Sequence, residues 1–70
     1  MYAVIVQYRD DDAEIMACSR DLDSIRKVYW EWVRYFANSK LKRDPAVYKT
    51  YRMALRSAML TVQLVQVKEV

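Results

Sequence analysis

Arg26, Trp30 and Arg34 stand at i, i+4 and i+8 in the run DLDSIRKVYWEWVRYFA, with Lys27 and Tyr35 close by. On a helix, that spacing lets guanidinium groups flank an indole. The chemistry on offer is recognition, as a stacking platform or a protein hot spot, because Trp and Arg dominate both. The plainer reading is arginine stems lying over an indole on a solvated face. An uncovered Trp is uncommon without cause, so Arg26, Trp30, Arg34 and Tyr35 are the expected partner-binding residues. A second set is basic. Lys49, Arg52 and Arg56 form a stripe beside Tyr48, preceded by Lys40, Lys42 and Arg43. They are candidates for phosphate contacts to nucleic acid. The competing account is a solvated helix face, since Lys and Arg are good helix formers expected opposite a core. Neither an RNP-like aromatic strand pair nor a helix-turn-helix turn accompanies the stripe.

Groups for catalysis or metal binding are scarce. The chain has no histidine and one cysteine. Cys18 has no imidazole to ionise it and is expected as a buried strand residue. Ser19, Ser24, Ser39 and Ser57 lack an activating base for the same reason. Asp10, Asp11, Asp12 and Glu14 lack the spacing and the glycine of a calcium loop, and read as a hairpin turn. The chain contains no glycine at all. Phosphate-cradling loops and G-x-x-G clamps need glycine where backbone approaches phosphate, so both are excluded. No enzyme activity, metal or cofactor is expected.

The element that positions the first set is a helix over residues 21–37. Leu22, Ile25, Tyr29, Trp32 and Phe36 recur at spacings of 3 and 4, so they share one face. Trp30 falls roughly 160° around the helix from Trp32, so the two indoles cannot enter one core. Asp21 is the expected N-cap, with Asp23 favoured by the dipole in the first turn. Asn38 is the expected C-terminal stop, followed by a basic connector over 39–43. Asp44-Pro45 then predicts a second helix over 45–58, which would bury Val47, Tyr51, Ala54, Leu55 and Ala58. Its outer face carries Lys49, Arg52 and Arg56.

The flanking segments read as strands. Residues 1–8 (MYAVIVQY) are β-branched and aromatic, and apolar on both faces. Residues 14–18 (EIMAC) return from the acidic turn as the second arm of a hairpin. Residues 61–68 (TVQLVQVK) form a third strand, in which Leu64-Val65 breaks the alternation and predicts a bulge or two apolar faces. The fold class is α+β: a β-β-α-α-β domain with a three-stranded mixed or antiparallel sheet and two helices packed on one face. Two antiparallel helices would return the last strand parallel to the first.

Seventy residues predict a single domain over 1–70. A chain this short buries only about 60% of its unfolded surface, and with one cysteine it has no internal disulfide. Dense aromatic packing and oligomerisation remain as means of stabilisation. Charge is unevenly spread within the net +3. Residues 1–25 carry Arg9 and Arg20 against six carboxylates, for −4; residues 26–56 carry nine basic residues against Glu31 and Asp44, for +7. Such a dipolar chain can meet nucleic acid, an acidic protein or the acidic half of another copy. No signal peptide or membrane-length apolar run is evident, and a lone thiol suits a reducing compartment, so a cytoplasmic protein is expected. The reading that results is a non-enzymatic binding protein. It forms a homodimer or larger assembly through an uncovered sheet face or the Trp30 side. It then acts as an inhibitor or adaptor on a cellular protein, of the kind a phage uses against host defence, or holds a small ligand between protomers. Nucleic-acid binding by the basic stripe is the alternative.

Overall fold

The computed structural model describes residues 1–7 and 12–68. The elements are β1 (Tyr2–Gln7), β2 (Ala13–Ser19), α1 (Leu22–Arg43), α2 (Tyr51–Thr61) and β3 (Val62–Gln66). β1 is the central strand of a sheet in the order β2-β1-β3, and it pairs antiparallel with both neighbours. Of the residues expected to turn the hairpin, Asp10 and Asp11 lie outside the described residues, and Asp12 is exposed just before β2.

The sheet is thus fully antiparallel rather than mixed, and the reason lies at the α2–β3 junction. Val62 is both the cap of α2 and the first residue of β3, with φ −102° and ψ 126°. The chain passes from helix to strand without reversing. No loop residue separates α2 from β3, so the turn that a strand parallel to β1 would have needed is missing, and β3 pairs antiparallel with β1. No left-handed residue is needed, which is why a chain without glycine can build this junction.

α1 begins where expected. The Asp21 side chain accepts from the Asp23 N–H at 3.1 Å and from the Ser24 hydroxyl at 2.7 Å. It does not stop at Asn38 but runs 22 residues to Arg43. Leu41 sits one turn beyond Ala37 and packs against the core, which carries the helix past Asn38. Lys40, Lys42 and Arg43, expected in a connector, form its last turn, where cations complement the dipole. α2 is also displaced from the expected 45–58. The Asp44 carbonyl accepts from Val47 and Tyr48 N–H at 3.0 and 2.9 Å, making a single turn that does not propagate. Tyr48 pins this link: its hydroxyl lies 3.1 Å from the Ser57 hydroxyl, and Lys40 Nζ stands 5.8 Å from its ring centroid. Thr50 then caps α2, accepting from the Met53 N–H at 3.3 Å. Val47 is consequently 60% exposed, and Tyr51 41% exposed, rather than buried.

Val4, Val6, Ile25, Val33, Ala37, Ala54, Ala58 and Val62 form the core. Both helices and the even-numbered side of β1 contribute, so the helices cover one face of the sheet. α1 lies across all three strands, while α2 packs chiefly on α1. Val33 and Ala37 fall outside the expected buried stripe because α1 has two neighbours, and its buried arc is wider than one sheet requires. Alanines at 37, 54 and 58 allow close approach of the two helices. The result is a two-layer slab with extents of 46 × 27 × 13 Å. Every fully buried side chain among the described residues is apolar.

Candidate protein-binding surfaces

The sheet face away from the helices follows from the register. Ala3 pairs with Cys18 and Val65, Ile5 with Ile15 and Gln63, and Gln7 with Ala13. Directly opposed residues share a face, so these eight side chains form the open surface. None carries a charge, in a chain whose residues are 30% charged; at that frequency roughly two such positions would be charged by chance. Ile15 is 64% exposed. Neither Ile5, Ile15 nor Val65 packs against the core, and Ala3, although buried, stands outside the core cluster.

A bulge produces this face. Val4 pairs with Ala17 and Ile5 with Ile15, leaving Met16 as an extra residue in β2. Met16 and Ala17 both pack against the core, so consecutive side chains serve the helix side. Ile15 and Cys18, which strict alternation would send to opposite faces, both reach the open one. This is why Cys18 is exposed and not buried as expected. Of the two outcomes expected for the last strand, the bulge is absent, since β3 keeps one register with β1 throughout, and two apolar faces are found, Leu64 on the core and Val65 on the open side. The uncovered face was expected; its membership depended on a bulge in the other hairpin arm.

The α1 set is only partly assembled. Arg26, Trp30 and Arg34 are exposed along one side, with Trp30 at 39%. The Trp30 ring meets Tyr29 edge-on at 5.2 Å. Among the described residues, the cation–ring contact that forms is Lys40 over Tyr48, not an arginine over Trp30. Tyr35 lies about 140° from Trp30 around the helix and belongs elsewhere. It packs edge-on to Trp32 at 5.6 Å and to Phe36 at 5.4 Å. Glu31, Trp32 and Tyr35 line a shallow, open depression of about 390 Å³. Trp32 packs against the core while Trp30 does not, so the two indoles diverge as their spacing requires.

The basic residues divide as well. Lys40 is half-buried against the link, whereas Lys42, Arg43, Lys49, Arg52 and Arg56 are exposed. Arg52 and Arg56 share the outer side of α2 with Met53, Met59 and Leu60, the last 79% exposed. These three stand outside the expected sets, which divide the helix into one buried stripe and one basic face. The seven-residue spacing of Met53 and Leu60, which puts them together on one flank of the helix well away from Ala54 and Ala58, was the available signal. Among the described residues, no group of three or more Cys, Asp or Glu side chains is placed to hold a metal ion. No helix there is long and apolar enough to cross a membrane. No protein-family model, curated protein or solved structure matches the chain.

Proposed function

We propose that this chain is a small non-enzymatic binding protein that self-associates through its open sheet face and occupies a surface of a cellular protein as an inhibitor or adaptor. The observation that carries the reading is the uncharged sheet face with Ile5, Ile15 and Val65 outside the core. A two-layer slab leaves such a face in water, and a second copy removes it. An uncharged face also lets two copies of a +3 chain meet without like charges opposed across the contact. Pairing there leaves Arg26, Trp30 and Arg34 free for a partner. The exposed thiol of Cys18 suits a reducing compartment, and the cytoplasm is the proposed location.

Light scattering on the eluting protein at low and high salt, with and without nucleic acid, tests this directly. The expected result is an assembly larger than 8.4 kDa that persists at high salt. Ile15→Lys or Val65→Lys returns it to a monomer that remains folded by circular dichroism. Trp30→Ala leaves folding intact and weakens partner binding. A wild-type monomer at every concentration ends the reading. The second reading, nucleic-acid binding by Lys40, Lys42, Arg43, Lys49, Arg52 and Arg56, is favoured by the absence of any carboxylate between Asp44 and Glu69. It predicts complexes with nucleic acid that fall apart steeply with salt in the same experiment.

A further inference from the structure

The outer face of α2 differs in kind from the sheet face. Arg52 and Arg56 are one turn apart and form a central row. Met59 lies to one side of that row, and Met53 and Leu60 lie to the other, by their 100° steps around the helix. Met53 is 46% exposed, Met59 42% and Leu60 79%. Ala54 and Ala58 hold the opposite side against the core. α2 therefore has two apolar sides, and among the described residues only one packs against the core.

Its charges are also placed without compensation among the described residues. α1 follows the dipole, with Asp23 in its first turn and Lys40, Lys42 and Arg43 in its last. α2 has no acidic residue in its first turn and no basic residue in its last, while Arg52 stands near its N-terminus. Among the described residues no carboxylate pairs with Lys49, Arg52 or Arg56. Local choices that cost stability without an evident gain in the fold mark surfaces shaped for something else.

We infer that this face docks an acidic amphipathic helix of a partner protein, with its carboxylates on Arg52 and Arg56 and its apolar side chains on Met53, Met59 and Leu60. The arrangement selects this occupant by charge and by order. Methionine adapts to the shape of an incoming apolar surface, and arginine takes carboxylates in bidentate pairs. Nucleic acid would satisfy the arginines yet leave Leu60 and Met53 in water. A lipid surface wants the reverse order, an apolar centre with cations at the flanks. This inference names the partner chemistry of the proposed binding protein and rests on that reading, but it does not depend on self-association.

The test uses the whole chain and a fluorescent helical peptide of about 15 residues, carrying a row of Glu between two rows of Leu. A peptide of the same composition in scrambled order, a single-stranded DNA and anionic phospholipid vesicles are the comparisons. Anisotropy is expected to show the ordered peptide bound at least about tenfold more tightly than the scrambled one. Arg52→Glu with Arg56→Glu abolishes that binding, and Leu60→Gln weakens it about tenfold while circular dichroism stays unchanged. Ile15→Lys retains peptide binding, so loss of the assembly and loss of docking are read separately. Equal affinity for both peptides overturns the inference. So does preferential binding of DNA or vesicles, or peptide binding indifferent to Leu60.

Discussion

Asp21 holds the start of α1 with both carboxylate oxygens. The Ser24 hydroxyl, first, and then the Asp23 N–H bond the ionised form and draw its pKa below the ordinary carboxylate value. A folded pKa below the unfolded one means a contribution present above the unfolded value, about 3.9, and lost as pH falls through the lower folded value. Asp21→Asn, which caps without titrating, should therefore trail the wild type in urea midpoint at neutral pH. The gap should close as pH falls through the lowered folded value. The carboxylate is fully exposed, so the gap is small and shrinks with salt. This cap was legible in the sequence because its chemistry is local, three residues reading one another. Cys18 was not. Its exposure depends on Met16 being extra in β2, a property of pairing with β1 that no residue type announces. Tyr35 shows the same limit, since its neighbours Trp32 and Phe36 capture it for an aromatic cluster away from Trp30.

Among elements, the two helices contrast in how they end. α1 is bounded by an aspartate at each terminus, and the Asp44 N–H closes it on the Lys40 carbonyl at 3.0 Å. α2 depends at its start on Thr50, whose hydroxyl oxygen takes the Met53 N–H. Thr50→Ala should destabilise the fold by about 1 kcal/mol in chemical denaturation, and Thr50→Asp by less than that. A shift below a few tenths would mean that α2 is held by Ala54 and Ala58 alone. The number, type and order of elements were readable from periodicity and β-branched composition. The boundaries between 38 and 50 were not. Asp44-Pro45 is a strong local signal for a helix start, but the link is fixed by Tyr48 reaching Ser57 and Lys40, contacts made only after the helices meet. The direction of β3 escaped for a related reason. A helix that enters a strand without a turn looks, in sequence, like a boundary whose glycine is missing.

At the scale of the molecule, one layer of helices covers one side of a three-stranded sheet, and the other side is uncharged and open. Its planar footprint, three strands by six residues, is about 300 Å² by strand spacing and rise. Two such faces, about 600 Å² together, fall well below the roughly 1,200 Å² at which stable interfaces begin, so an assembly formed there alone should be weak and concentration-dependent. That leaves separate regions for self-pairing and for a partner, the sheet face for one and the helices for the other. The seamless passage from Thr61 to Val62 then acquires a mechanical meaning. α2 is a lever whose axle is the β1–β3 ladder, with no slack between the two. Anything that grips the outer side of α2 loads those rungs, so amide hydrogens of Val62–Gln66 should exchange more slowly when the acidic peptide is added, although none of them touches it. Unchanged exchange in β3 alongside slowed exchange in α2 would show that the lever is not coupled to its axle.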